Sequence, residues 1–170
     1  TRFGKKIPDE FETLAYFGLL LFAGLRPSEI HGGLLWNPKK ASTKPLDWSE
    51  IDLSKKNPEI TLLHTKGRVI RKIPLMPNCV SILNAVRDLP LIPESGFKRK
   101  FNKVRDEARI EWKEDICRHS WVTYLFAKDE DLTRKTIARM AGNSVSILDK
   151  AYLNRGVTKK DGKKYFSIGL

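Results

Sequence analysis

The chain has 170 residues, of which 41% are hydrophobic, enough for one compact domain with a full core. Its 32 Lys and Arg against 20 Asp and Glu give a formal net charge of +12, which favours a nucleic-acid partner over an anionic membrane. The longest uncharged apolar run, residues 14–25, is about half as long as a membrane span, so it predicts a buried helix. We expect no signal peptide. Cys79 and Cys117 form no close metal-ligand pair, so we expect a cytoplasmic protein with reduced cysteines.

The N-terminal region predicts two helices in succession. Residues 7–23 begin with a proline and two acids, which suit a first helical turn. Residues 16–22 are apolar nearly all round, so this helix should lie at the centre of the domain. Pro27 suits the first turn of a second short helix that ends near the glycine pair 32–33. Arg26 is therefore expected at a helix junction, with its side chain free to point into a cleft.

The middle of the chain predicts a loop and then a small sheet. Residues 36–45 are polar and aperiodic, which is typical of a loop. Three runs with strand character follow, at residues 46–53, 59–65 and 69–75. The last two should form a hairpin with Lys66 at its tip.

The C-terminal half is predicted to be mostly helical. Helices are expected at residues 78–87, 97–110 and 117–127. Two more should begin after the capping residues Thr133 and Ser144, the first ending at Gly142 and the second carrying Tyr152 at or just past its end. The sequence therefore predicts an α+β fold, mainly α-helical, with a small three-stranded antiparallel sheet on one edge.

Four short boxes, in this order, resemble the catalytic domain of the tyrosine recombinases, the family of phage integrases. Residues 24–29 (GLRPSE) resemble its first arginine box, and residues 65–68 (TKGR) resemble its lysine hairpin. Residues 117–120 (CRHS) resemble the second arginine box, and residues 142–144 (GNS) followed by Tyr152 resemble the closing segment. The resemblance implies that residues 1–170 form the catalytic domain and that the helical DNA-binding domain which normally precedes it is missing from this fragment.

The resemblance also implies a reaction and a role for each residue. Tyr152 would attack a DNA phosphodiester, leaving a 3′-phosphotyrosyl bond and a free 5′-hydroxyl that then attacks the matching bond in a partner DNA. Arg26 and Arg118 would neutralise the charge of the pentavalent phosphate, and Lys66 would protonate the leaving 5′ oxygen. The covalent intermediate keeps the bond energy, so neither ATP nor a metal nor any other cofactor is required.

Two positions depart from the family pattern. Asp115 lies three residues before Arg118, where histidine is usual, and Asn143 lies where histidine or tryptophan is usual. Asn143 can still donate a hydrogen bond to a phosphate oxygen, and Asp115 can accept a proton, so both stay candidate catalytic residues. The alternative for Asp115 is that its side chain caps the helix that carries Arg118.

Plainer interpretations exist for several of these residues. An arginine before a helix and a lysine at a hairpin turn are usually surface residues, and only the companion boxes favour a catalytic role for Arg26 and Lys66. Glu29 is expected to brace an arginine or a backbone amide rather than to act as an acid. A basic group on the predicted helix 97–110 should either contact DNA phosphates or simply be solvated, namely Lys98, Arg99, Lys100 and Lys103.

The leading hypothesis is a site-specific DNA recombinase or integrase of phage or mobile-element type that acts on double-stranded DNA. We expect it to act as a homo-oligomer, namely a tetramer on DNA. Two alternatives stay open: strand relaxation of the type IB topoisomerase kind with the same tyrosine, and a DNA-binding protein that keeps the fold and has lost catalysis. Because family members exchange C-terminal segments, the tail from Thr158 onward is expected to pack against a neighbouring protomer through Phe166 and Ile168.

Overall fold

The structure is a computed structural model that describes residues 8–32, 44–54, 56–63, 70–113, 115–129, 131–151 and 156–169. The predicted α+β, mainly helical fold is confirmed. Its helices are α1 (Asp9–Phe22), α2 (Pro27–His31), α3 (Pro77–Ala85), α4 (Phe97–Glu107), α5 (Ile116–Lys128), α6 (Arg134–Ala141), α7 (Val145–Ala151) and α8 (Lys159–Tyr165). Its strands are β1 (Ile51–Asp52), which follows a 3₁₀ turn at Trp48–Glu50, β2 (Glu59–Leu62) and β3 (Arg71–Pro74).

Helix α1 forms the centre of the domain, as its apolar sequence predicted. It packs against α3, α4 and α5, and both Tyr16 and Leu19 are buried. Aromatic rings join it to α4: Tyr16 meets Phe97 edge-on at 4.7 Å, and Phe17 stacks on Phe101 at 5.3 Å. These large apolar contacts hold α1 in place, so the segment directly after it, which contains Arg26, is anchored at a fixed position.

The sheet has the order β1-β2-β3 and is antiparallel throughout. Ile60 pairs with Ile51 on one side and with Ile73 on the other, and all three are buried. Side chains alternate between the faces of a strand, so Arg71 shares the buried face of β3 with Ile73. An arginine therefore points into the domain from the first residue of β3.

The ends of the C-terminal helices follow the predicted caps. The Thr133 side chain accepts a hydrogen bond from the backbone N–H of Thr136 at 3.1 Å, and Ser144 Oγ accepts one from Ile147 at 3.2 Å. Gly142 ends α6 in the left-handed conformation, with φ of 59°. The turn between α6 and α7 is thus stabilised on both sides, by the left-handed glycine that ends α6 and by the serine cap that begins α7.

The tail differs from the prediction. Residues 159–165 form α8, a helix that the sequence pattern had not suggested, and α8 packs on α5 of its own domain. Tyr165 stacks on Tyr124 with ring centroids 4.3 Å apart, and its hydroxyl donates to the backbone oxygen of Leu21 at 2.6 Å. Phe166 is buried, whereas Ile168 is half exposed. In the single chain the tail thus packs on its own domain, and its exchange with a neighbouring protomer stays a prediction.

Both cysteines are buried and free. Burial raises the pKa of the Cys79 thiol to about 12, which keeps it protonated and unreactive at neutral pH. In the part of the chain that the structure describes, no helix combines the length and the apolar character that crossing a bilayer requires.

Candidate functional site

The first arginine of the site, Arg26, lies where α1 gives way to α2. It precedes Pro27, the first residue of α2, and its own backbone is extended. Its N–H donates to a Glu29 carboxylate oxygen at 2.8 Å, which satisfies one of the N–H groups that a helix start leaves without a partner. The side chain is 32% exposed, and its guanidinium also donates to Glu29, at 3.2 Å. Arg26 is thus at the predicted helix junction, held by Glu29 and reachable from solvent.

The second arginine, Arg118, lies in the first turn of α5 and is only 1% exposed. Its Nη1 donates to the backbone oxygen of Gly24 at 2.6 Å and lies 3.9 Å from Glu29 Oε2. Gly24 lies two residues past the end of α1 and has a φ of 62°, a left-handed conformation that favours glycine. The two arginine boxes, far apart in sequence, therefore meet around one carboxylate.

The closing segment reaches the same place. Asn143 follows the last turn of α6, and its backbone N–H donates to the oxygen of Ala138 at 2.9 Å. Its Oδ1 accepts a hydrogen bond of 2.7 Å from Nη2 of Arg26, 117 residues away in sequence. Its Nδ2 is buried and makes no hydrogen bond within the described part of the chain. Asn143 thus lies beside Arg26, and its Nδ2 group is a hydrogen-bond donor that no described residue accepts from.

A third arginine, Arg71, was not among the predicted site residues. It is 5% exposed and donates to both oxygens of Glu29, at 2.6 and 3.3 Å. The signal was present in the alternation of β3, since an arginine on the same strand face as Ile73 must point inward and needs an acidic partner. The lysine box, residues 65–68, contains no residue of β3.

Glu29 is the centre of this arrangement. Burial by itself would raise its pKa, but the charge and hydrogen bonds of Arg71, the backbone N–H of Arg26 and the charge of Arg118 hold that pKa below its ordinary value of 4.5. The prediction that Glu29 braces an arginine and a backbone amide is confirmed. Three guanidinium groups face one carboxylate, so this set of four side chains has a net charge of +2.

The structure revises the alternative given for Asp115. This residue occupies the N-cap position of α5, but its side chain makes no capping hydrogen bond there. Its backbone is left-handed, with φ of 55° and ψ of 15°, whereas an N-cap that bonds the helix is usually extended. The side-chain cap is therefore wrong, and the proposed proton-accepting role stays a prediction.

Two predicted catalytic residues cannot be placed. Lys66 lies in the stretch 64–69, outside the described residues, and so does Tyr152, which follows directly after the last residue of α7. The predicted hairpin tip and the position of the nucleophile are therefore predictions still.

The predicted DNA-contacting residues of α4 separate into two kinds. Lys98, Arg99 and Lys103 are exposed, and Lys103 lies 4.0 Å from Glu107 one turn later. Lys100 is 7% exposed, and its ammonium is paired with Glu12 of α1. The charge of Lys100 is therefore balanced inside the domain, and this residue is not available to a phosphate.

No group of three or more His, Cys, Asp and Glu side chains within the described ranges is arranged to hold a metal ion. The donors that converge on the site are guanidinium and amide groups, which bind anions rather than cations. The chemistry of the arrangement is that of a positively charged site for an anionic group, and a phosphate suits both the charge and the planar donors.

A comparison with solved structures identifies a similar fold. The fold resembles that of XerA recombinase. The match to the crystal structure of that protein covers 95% of this chain and 63% of the other, with a TM-score of 0.57 and 15% sequence identity. No protein-family model matches the sequence, and no curated protein is significantly similar to it in sequence. The likeness to XerA recombinase confirms the tyrosine recombinase-like fold that the four boxes suggested.

Proposed function

We propose that this domain breaks and rejoins DNA strands through a 3′-phosphotyrosyl intermediate, as a site-specific recombinase or integrase. The observation that carries the proposal is the meeting of three separate sequence boxes: Arg26 and Arg118 both face Glu29, and Asn143 is hydrogen-bonded to Arg26. Nothing in the packing of a helical domain requires these four polar side chains to converge. A site for an anionic phosphate accounts for the two arginines and the asparagine, with Glu29 as the group that holds the arginines in place.

In the proposed reaction Arg26 and Asn143 bind the scissile phosphate. Arg26 is exposed enough to be reached as it stands, and Asn143 Nδ2 supplies a donor to a phosphate oxygen. Arg118 is buried, so its charge acts on the phosphate from beneath, where the lower dielectric strengthens the attraction. Such preorganised donors contribute about 3 kcal/mol each to stabilising charge that develops in a transition state.

Tyr152 is the proposed nucleophile. Its hydroxyl attacks phosphorus, the bond to the 5′ oxygen breaks, and Lys66 gives that oxygen a proton, while Asp115 accepts the proton of the tyrosine. The free 5′-hydroxyl of a partner strand then reverses the attack. Both strands of two duplexes must be exchanged, so we propose a homo-oligomer, a tetramer on DNA, within the cytoplasm of a bacterial cell that hosts a phage or another mobile element.

The test is covalent trapping on a nicked duplex that loses its 5′ product. The wild-type chain should form a protein–DNA adduct in the presence of a metal chelator, and Tyr152→Phe should form none while binding the duplex normally. An adduct with the phenylalanine variant would identify a different nucleophile. Absence of an adduct with the wild type would leave a DNA-binding protein that has lost catalysis. Relaxation of a supercoiled plasmid without strand exchange would favour the topoisomerase alternative.

The exposed residues of α4 are the proposed contact with the DNA backbone. Lys98→Ala combined with Arg99→Ala should weaken binding to any duplex and make the salt dependence of binding less steep, by about one unit of slope for each contact removed. The matched control is Lys100→Met, which removes a charge that is already paired with Glu12. That control should lower stability and leave the slope of salt dependence unchanged. An unchanged slope in the double variant would exclude α4 from the interface.

A further inference from the structure

Arg71 is bound to Glu29 more closely than either of the arginines that the sequence boxes contain. Its Nη1 lies 2.6 Å from Oε1 and its Nη2 lies 3.3 Å from Oε2, so the guanidinium faces both carboxylate oxygens. The Arg26 guanidinium has one contact with Glu29, at 3.2 Å, and Arg118 Nη1 lies 3.9 Å away. Arg71 is therefore the principal counter-ion of Glu29.

The same guanidinium also lies against the turn between α6 and α7. A Cβ added to Gly142 would overlap Nη1 of Arg71 and would lie 3.0 Å from its Cζ. The next residue after Gly142 is Asn143, which binds Arg26. One side chain of β3 thus contacts both the carboxylate at the start of α2 and the backbone that carries Asn143.

We propose that Arg71 is a positioning residue of the site: it holds both oxygens of Glu29 and thereby leaves the charges of Arg26 and Arg118 available to a phosphate. The inference rests on the proposed function and adds to it a residue that the four boxes do not contain. Arg71 is unsuited to touch the phosphate itself, because it is 5% exposed and both of its terminal nitrogens already donate to Glu29.

The physical reason is competition between two anions for the same cations. Without Arg71, the Glu29 carboxylate would turn to Arg26 and Arg118. The net charge of the site would fall from +2 for the four side chains to +1 for the three that remain. A phosphate would then meet a partly neutralised site with a carboxylate facing it, and like charges repel strongly where water is scarce. Arginine is needed for this task because its planar fork matches two carboxylate oxygens, which a lysine ammonium cannot do.

The experiment is a double-variant cycle in the 170-residue chain with Arg71→Met, Glu29→Gln and their combination. Two quantities are measured: the affinity for inorganic phosphate, from shifts of the arginine and asparagine side-chain NMR signals, and the rate of adduct formation on the nicked duplex. Arg71→Met should lower both by about five- to fiftyfold, which lies within the range of coupling between groups in one charged network. Adding Glu29→Gln should restore most of the loss, because the neutral amide no longer competes for Arg26 and Arg118.

Removing the carboxylate would also rescue the stability of a purely structural ion pair, because an unpaired buried charge is costly. Urea unfolding therefore first establishes that each variant is fully folded under the assay conditions. Among fully folded chains, a residue that only supports the fold would leave the phosphate affinity unchanged in Arg71→Met. Failure of the double variant to recover, or wild-type behaviour of Arg71→Met, overturns the proposal. If urea unfolding shows that Arg71→Met does not fold, the comparison of Arg71→Lys with Arg71→Lys/Glu29→Gln takes its place, and recovery is again required. A wild-type chain that binds no phosphate also overturns it.

The two proposals fail in different ways. If the wild-type chain forms no tyrosine adduct but its phosphate affinity falls in Arg71→Met and recovers with Glu29→Gln, the recombinase function is wrong and the role of Arg71 stands. If the adduct forms but the double variant shows no recovery, the recombinase function stands and Arg71 only packs.

Discussion

Gly24→Ala should strongly destabilise the domain, for two reasons that can be separated. The residue has a φ of 62°, and the left-handed conformation costs an alanine about 1–2 kcal/mol. In addition, a Cβ at this position would lie 2.9 Å from Cγ of Trp121 and still nearer to two other atoms of the indole ring. Trp121 is 2% exposed, so the ring has little room to move away.

The size of the effect follows from adding these terms. Overpacking of a well-filled core costs about 1–3 kcal/mol, so Gly24→Ala should lose about 2–5 kcal/mol of unfolding free energy. Gly96 provides a matched control, since its φ of 65° is nearly the same but a Cβ there would find its nearest neighbour at 3.8 Å. Gly96→Ala should therefore lose only the backbone term of about 1–2 kcal/mol.

Urea unfolding of both variants measures the difference, which isolates the contact with Trp121. Equal losses in the two variants would refute the argument that the close approach of Gly24 to the ring matters. Adduct formation gives a second measure, because the Gly24 carbonyl accepts the hydrogen bond of Arg118. A shift of this backbone should slow Gly24→Ala in the reaction and leave Gly96→Ala at the wild-type rate.

Three further predictions concern the acid pH range, the tail and the second arginine. The pKa of Glu29 is held below 4.5, so its carboxylate contributes stability that is fully present above about pH 4.5 and is lost as the pH falls through the lower folded-state pKa. Glu29→Gln should remove that loss from urea unfolding curves, and identical acid profiles would contradict it. Gly162→Ala should loosen the packing of α8, because a Cβ at this position would lie 2.7 Å from the backbone oxygen of Tyr124. Hydrogen exchange of the α8 backbone amides should therefore be faster than in the wild type, and equal exchange rates would refute this. Arg118→Lys should form adduct at least about tenfold more slowly, since an ammonium lacks the planar fork, and equal rates would remove Arg118 from the site.

The sequence predicted those features whose physical cause is local. The apolar run of α1, the cap at Thr133 and the glycine that ends α6 each depend on neighbours within a few residues, and each was found where expected. The α+β architecture followed from these signals and from the three runs with strand character, and the resemblance of the four ordered boxes implied the same fold. Local capping chemistry and periodicity therefore suffice to place most helices of this fold.

Features that depend on distant partners were missed or misjudged. Lys100 was grouped with its basic neighbours, since nothing local indicates that Glu12 lies opposite it on α1. Helix α8 has a basic, glycine-containing sequence with weak helical signal, and it is fixed by contacts such as the one from Tyr165 to Leu21. Arg71 lies in neither arginine box, so its pairing with Glu29 became evident only once β3 and α2 were seen side by side.

Asp115 allows the sharpest test of the proposed chemistry, because the structure removes one of its two interpretations. Its side chain does not cap α5, and its backbone is left-handed, with φ of 55°. Aspartate, asparagine and histidine tolerate this conformation better than most residues, so Asp115→Asn and Asp115→His keep the backbone and differ in their ability to accept a proton.

If Asp115 takes the proton of Tyr152, the histidine variant should form adduct at neutral pH faster than the asparagine variant, because imidazole is a base and an amide is not. Asp115→Gly separates the effect of the left-handed backbone on stability from the effect of the side chain on the reaction rate. Glycine carries no penalty at positive φ, so this variant should be more stable than wild type by about 1 kcal/mol in urea unfolding, yet it should be as slow as the asparagine variant. An asparagine variant that reacts at the wild-type rate would exclude proton acceptance and leave Asp115 with the backbone role alone, since its shape and its tolerance of the left-handed turn are unchanged in that variant.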